Sequence, residues 1–405
     1  MSNQDDLLRR ADRVLPGGIL GSHRSGPGLE FVVKEGRGAY LYDMAGRRYL
    51  DYLLGSGPML LGHAHPAVVE AVERQMARGT SYFLLNEPAI ELAEEIVKAV
   101  PCAEQVRYTS SGSEATFFAL RVARAFRKRE KIMKFEGGFH GTHDYALMSV
   151  VPRSPKAFPA PMMDSAGVPH AIEAEVLIAP YNDLATAEAL IAAHHEELAA
   201  VLIEPYQRTI VPAPGFLAGL RAATKRYGVP LIFDEIVTGF RFAYGGAQEY
   251  YGVVPDLAAY GKVVAGGFPL ACIAGPKPIM RHFDAALEGT ADYVWQAGQG
   301  QEGGQEPLER SGGNNDSASD SASPGCGELA SGCTGSQGPN AHTRSSHTHA
   351  VVRKGERVGN SLFPVVPCSK VFNFARLQRD KGLRAVVPSF QALFQVSGGR
   401  APRSG

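Results

Sequence analysis

Two residues carry the sharpest chemistry in the sequence. The apolar run Pro230-Leu-Ile-Phe ends in Asp234, and a second run, Ala259-Tyr-Gly261, ends in Lys262. A lysine at the end of a buried run loses solvation, and its amine becomes nucleophilic as its pKa falls. A Schiff base with an aldehyde removes the cost of burying that charge. A carboxylate beside a pyridine-type nitrogen keeps the ring protonated and electron-withdrawing. At roughly 4 Å and an effective dielectric near 20, that attraction is about 4 kcal/mol, or about three pKa units. The pair therefore suits one aromatic ring carrying a basic nitrogen and an aldehyde. Taken singly, Asp234 reads as a polar strand end and Lys262 as a surface lysine.

Other residues fit the same ring. Ser110-Ser111-Gly112-Ser113-Glu114 stands between a strand pattern and a helix pattern. Free N–H groups at a helix start attract an anion, and Gly112 lets a phosphate approach closely. Ser111 and Ser113 add hydroxyl donors. The alternative is an ordinary capping box, with Ser111 as cap and Glu114 as its partner. Glu136-Gly-Gly-Phe139-His140-Gly141 is a tight loop that projects an aromatic ring, for stacking on a flat cofactor or for the core. Arg24 suits a substrate carboxylate in fork geometry, or is a solvated loop residue. Arg208 and Arg241 are comparable candidates.

The elements that must position these residues are legible from periodicity. Strands are expected at 105–109, 131–135, 200–204 and 230–234, with helices at 114–127, 184–198 and 216–227. Alternating strands and helices imply parallel pairing with helices on both faces of the sheet. In such sheets ligands bind outside the carboxyl ends of the strands. Thr109, Glu204, Asp234 and Lys262 all fall there. Helix 114–127 is expected to bury Ala115, Phe118, Ala119, Val122, Ala123 and Phe126. Upstream stand a short helix from Asp5 to Val14, a hairpin at 39–52 and helices opened by Pro66 and Pro88. The Pro66 helix offers Val68, Val69, Val72 and Met76 to a buried side.

Bulk properties exclude several classes. Lysine plus arginine equal aspartate plus glutamate at 41 each, which gives no electrostatic reason for nucleic acid or an anionic membrane as partner. The start of the chain is acidic and lacks the apolar core of a secretory signal, and no apolar run is long enough to span a bilayer. Cys102, Cys272, Cys326, Cys333 and Cys368 show neither paired nor metal-type spacing. Free thiols in a reducing, cytoplasmic compartment and no metal site are the expectation. Residues 299–349 are rich in Gly, Ser, Asn and Gln without apolar periodicity, so they read as disordered. Residues 350–405 return only short apolar runs broken by Pro, Lys and Arg.

In order along the chain stand Gly62-His-Ala-His-Pro66, Ser110-Ser-Gly-Ser-Glu-Ala115, Glu136-Gly-Gly-Phe-His-Gly141, Ile203-Glu-Pro205, Phe233-Asp-Glu-Ile-Val-Thr-Gly-Phe-Arg241, Gly261-Lys262 and Gly266-Gly-Phe-Pro269. Together these resemble the class III pyridoxal-phosphate-dependent aminotransferases of fold type I, in the branch of glutamate-1-semialdehyde 2,1-aminomutase and its aminotransferase relatives. The resemblance runs to about residue 298. It implies an N-terminal segment at 1–60 and a cofactor-binding large domain at 61–298. A small C-terminal domain would be absent, or replaced by the atypical tail.

The resemblance also implies roles. Lys262 would be the Schiff-base lysine and proton carrier, and Asp234 would pair with the pyridine nitrogen. Ile236 would pack under the ring and Phe139 above it. Gly112 and Ser113 would hold the phosphate, with Ser111, His140 and Glu204 completing the cofactor set. Arg24 would hold a substrate carboxylate. The reaction would be ping-pong amino transfer between an amino acid and an oxo acid or aldehyde, carried out by a homodimer. One alternative is the aminomutase itself, which exchanges the amino group within one substrate. Another is a truncated or frameshifted relative that at most binds the cofactor. The segment after Glu204-Pro205 reads Tyr-Gln-Arg-Thr209, without the Asn common in the mutases.

Overall fold

The computed structural model describes residues 3–21, 26, 30–152, 154 and 156–296. The expectations for 299–349 and 350–405, and those for Arg24, Cys326, Cys333 and Cys368, lie outside the described residues.

Two sheets form. The smaller is antiparallel and joins β1 (Val33–Arg37), β2 (Tyr40–Asp43) and β3 (Arg48–Leu50). Its turn is organised by Asp43, which is buried and accepts from the Arg47 backbone and guanidinium and from the Tyr49 hydroxyl. The larger sheet contains β4 (Gln105–Thr109), β5 (Lys131–Phe135), β6 (Val176–Ala179), β7 (Leu198–Ile203), β8 (Leu231–Asp234), β9 (Leu257–Tyr260) and β10 (Ala271–Gly275). Its spatial order is β4-β10-β9-β8-β7-β5-β6. Every pairing from β9 to β6 is parallel, while β10 runs antiparallel to both of its neighbours.

The helices are α1 (Asn3–Val14), α2 (Pro66–Met76), α3 (Glu87–Ala99), α4 (Gly112–Arg127), α5 (Leu184–His194), α6 (Phe216–Arg226), α7 (Gly246–Tyr251) and α8 (Lys277–Met280). Successive strand residues face opposite sides. On one side Met133, Val201, Ile203, Leu231 and Phe233 join α3, α5 and α6 in a buried cluster. On the other, Ile132, Ala200, Leu202, Ile232 and Ala259 pack beneath Ala115, Ala119 and Val122 of α4. Helices thus cover both faces, which is why these strands read as continuous apolar runs.

The period of two also aims the polar strand ends. Lys134 follows Ile132, Glu204 follows Leu202 and Asp234 follows Ile232, so all three continue the α4 side. The registers Ile203↔Phe233 and Asp234↔Ala259 then set Glu204 beside Asp234 and bring Lys262 just beyond the next strand end.

Several local expectations change. Helix 184–198 stops at His194, and Leu198 starts β7. Strands β1, β6 and β10 add to those expected; β10 is Ala-Cys-Ile-Ala-Gly, poor in the branched and aromatic residues that mark strands. On α4, Leu120 and Thr116 are buried, whereas Phe126 is 41% exposed and packs edge-on against His282. Helix α2 buries none of its residues, and Met76 is 65% exposed. Among the described residues no helix is long and apolar enough to cross a membrane.

Candidate active site

Asp234 ends β8 with its carboxylate buried. Oδ1 accepts the Ile236 N–H at 3.1 Å, and Oδ2 lies 2.8 Å from His140 Nδ1. Burial pushes the Asp234 carboxyl up to about 7, against the backbone hydrogen bond and the charge of Lys262. Burial pushes His140 down to about 3. A neutral imidazole has one N–H, and in the Nδ1–H tautomer it donates to the carboxylate. The contact partner of Asp234 is therefore neutral, and its nearest opposing charge is Lys262, felt through space.

Lys262 follows β9 and is half-buried. Burial lowers its pKa, while Asp234 and Glu204 oppose the shift. Its backbone has φ +47°, the left-handed region that favours glycine. A side chain there costs about 1–2 kcal/mol, and such strain collects at functional sites. Gly57 (φ +111°) lies against its stem: a Cβ on Gly57 would sit 3.1 Å from Lys262 Cδ. The Arg241 guanidinium donates to the Gly57 carbonyl and so holds that loop.

The start of α4 combines both readings of its serines. Ser111 Oγ accepts the Glu114 N–H, and Glu114 Oε2 accepts the Ser110 and Ser111 N–H groups, a complete capping box. Those bonds engage Ser110, Ser111 and Glu114. The Gly112 and Ser113 N–H groups make no hydrogen bond among the described residues. An anion would therefore meet Gly112 and Ser113, while the Ser111 hydroxyl is occupied as cap. Ser113 Oγ accepts the Thr142 N–H at 3.1 Å and keeps its own proton to donate.

The Glu136–Gly141 loop is anchored from several sides. Glu204 Oε1 accepts the Phe139 N–H at 3.1 Å, and Oε2 accepts the Arg208 N–H at 3.0 Å. Burial raises the Glu204 pKa. Thr116 Oγ1 donates to the His140 carbonyl at 2.5 Å. Phe139 is 42% exposed, with the Arg208 guanidinium over its ring, 5.3 Å from the centroid. Of the arginines, Arg241 and Arg208 are placed near Lys262, and Arg24 lies outside the described residues.

Ile236 lies between two glycines. A Cβ on Gly112 would come within 3.0 Å of Ile236 Cδ1, and one on Gly261 within 3.1 Å. Two bare backbones thus flank an apolar side chain next to an acid without a contact cation. This is the shape a flat cationic ring with a phosphate arm requires: a floor at Ile236, a carboxylate at one end and open N–H groups at the other. His140, Glu204 and Asp234 also lie within reach of one another as possible metal ligands. Their carboxylate oxygens and His140 Nδ1 are already hydrogen-bonded to one another or to backbone N–H groups.

Residues 21–291 match the sequence profile of the family described as Aminotransferase class-III. The chain belongs to the class III aminotransferase family. It is 46% identical over 297 residues to the glutamate-1-semialdehyde 2,1-aminomutase of Methanothermobacter thermautotrophicus, covering 73% of this chain and 68% of that protein. An omega-transaminase from Sphaerobacter thermophilus superposes with a TM-score of 0.69 at 39% identity, covering 73% of this chain and 68% of the other. A transaminase solved with PLP bound superposes with a TM-score of 0.67 at 31% identity, covering 72% and 69%. The chain thus spans about two thirds of the length of each relative. Class III aminotransferases depend on pyridoxal phosphate, and the fold is that of the type I transferases.

Thr116 and Lys134 join the site without having been among the candidates from sequence. The available signal was a polar residue inside an otherwise apolar face, on α4 for Thr116 and in β5 for Lys134.

Proposed function

We propose that this protein transfers an amino group between an amino acid and an oxo acid or aldehyde, with pyridoxal phosphate held between Asp234 and Lys262. The observation that carries the reading is the buried Asp234 carboxylate, whose contact partner is a neutral histidine and which is set beside a desolvated lysine. Bound there, pyridoxal phosphate supplies an aldehyde that captures amino groups and a ring that withdraws electrons. Asp234 holds a proton at the ring nitrogen. His140 keeps the carboxylate oriented through Nδ1. Gly112, Ser113 and the dipole of α4 hold the phosphate. Ile236 and Phe139 would hold the ring, and Glu204 fixes the Phe139 backbone. Lys262 would hold the aldehyde through Nζ, and its desolvated amine would carry a proton at that end of the site. Arg24 is assigned to the substrate carboxylate.

The second reading is glutamate-1-semialdehyde 2,1-aminomutase, favoured by the 46% identity to a protein of that name. Residues 61–298 form the cofactor-binding domain in either case. A homodimer is also proposed, because Phe83, Leu84 and Leu85 expose apolar surface, Leu85 to 89%. The deciding experiment supplies glutamate-1-semialdehyde alone, and separately an amino acid with an oxo acid. Product only in the paired assay supports the aminotransferase, and 5-aminolevulinate from the single substrate supports the mutase. No turnover in either, with the cofactor bound, supports a binding-only relative.

A further inference from the structure

Lys134 stands inside β5 with its side chain fully buried. Its Nζ donates to three carbonyls, Gly138 at 3.0 Å, Ala146 at 3.1 Å and Met148 at 2.5 Å. The three N–H donors of an ammonium are thereby matched, which favours the charged form against the burial that pushes Lys134 down to about 7. Among the described residues it makes no ion pair with a carboxylate. A buried ammonium is costly to desolvate, and an apolar side chain of the same length would fill the volume without that cost. What an apolar chain could not do is tie together two separate backbone segments.

Those segments lead into the cofactor site. Gly138 precedes Phe139 and His140, and the Ala146 and Met148 carbonyls belong to the segment that follows the loop. The Gly137 N–H donates to the Ser149 carbonyl, so loop and return segment are already paired at one point. Lys134 adds the central clamp. Thr116 holds the His140 carbonyl from α4, and Glu204 holds the Phe139 N–H from just beyond β7. Lys134 is the tether from β5.

We infer that Lys134 is a positioning residue for the cofactor site: its ammonium fixes the Glu136–Gly141 loop so that His140 meets Asp234 and Phe139 covers the ring. Lys134 itself touches neither cofactor nor substrate. The inference rests on the pyridoxal-phosphate reading of the site.

The test uses the full chain as wild type, Lys134→Met, His140→Asn and the double variant. Pyridoxal phosphate is titrated by visible absorbance, each apoprotein is melted to give its folded fraction, and visible circular dichroism is recorded at saturation. Lys134→Met is expected to weaken binding by the folded fraction about tenfold or more, the scale of a charge-assisted hydrogen bond. It should also lower the dichroism per bound chromophore, which simple loss of stability would not do. The double variant should bind no more weakly than the worse single one, because both act through His140. If Lys134→Met does not fold, Lys134→Gln, which keeps two N–H donors, decides by the same readouts. Wild-type affinity and dichroism in the Lys134 variant, or single effects that multiply in the double, would overturn the inference and leave the cofactor reading standing. A folded wild type that takes up no pyridoxal phosphate would overturn both.

Discussion

Asp234 Oδ2 and His140 Nδ1 lie 2.8 Å apart, and both side chains are buried. The pair resembles an ion pair but is not one, because burial drives His140 toward neutrality and Asp234 toward its protonated form. His140 thereby orients the Asp234 carboxyl without adding a countercharge, and a ring cation in contact would hold it as the carboxylate. Asp234→Asn keeps the shape and removes the charge. It should weaken cofactor binding and lower turnover by about a hundredfold, within the limit of a pair worth about 4 kcal/mol. Visible titration and steady-state rates check both.

The two glycines against Ile236 give a second prediction. In Gly112→Ala the new methyl meets Ile236 Cδ1 at 3.0 Å and crowds the floor of the site. Alanine also favours the helix over glycine by about 1 kcal/mol. Cofactor affinity should therefore fall while the apoprotein melts no earlier. Adding Ile236→Val should recover most of the affinity. A drop in melting temperature matching the loss of affinity would contradict the cradle.

Glu204 accepts one backbone N–H on each oxygen, from Phe139 and from Arg208. Glu204→Gln retains one acceptor and turns an amide NH2 toward the other donor. Denaturation should show a loss of about 1–3 kcal/mol, the cost of a buried donor left unpaired. Glu204→Asp should recover little, because the shorter side chain does not span both donors.

His143 gives a prediction with a definite pH sign. It is packed against Phe117 and Tyr145, with Nδ1 unpartnered, and burial pushes it down to about 3 from 6.5. Between those values the unfolded chain binds a proton that the folded chain refuses. Stability from this group is present above about pH 6.5 and lost as the pH falls toward 3. Relative to His143→Gln, the wild type should lose about 1.4 kcal/mol per pH unit across that window. Parallel stability curves for the two proteins would show that His143 titrates normally.

The sequence exposed the site where chemistry coincides with pattern. Asp234 and Lys262 each end an apolar run, and strand–helix alternation brings such ends together. The serine turn is legible as a helix start, but which N–H groups stay open depends on where Glu114 folds back. Lys134 and Thr116 were passed over because a polar residue in an apolar run looks like noise until its acceptors are known. Helix α2 was read as having a buried side from Val68, Val69, Val72 and Met76. Periodicity defines an apolar stripe, and burial requires an element to cover it, which the described residues do not supply. Helix α5 was read four residues too long because Glu196 and Glu197 fit a helix turn, whereas β7 pairing begins with Leu198 beside Lys131.

The central claim is that Lys262 is the lysine that binds the aldehyde of pyridoxal phosphate. The full chain is saturated with pyridoxal phosphate, reduced with borohydride, digested and mapped by mass spectrometry. The account predicts one pyridoxyl-modified peptide, carrying the group on Lys262, and its loss together with the visible band in Lys262→Ala. Modification of Lys134 or of surface lysines instead, with Lys262 unmodified and a visible band that survives the substitution, would contradict it.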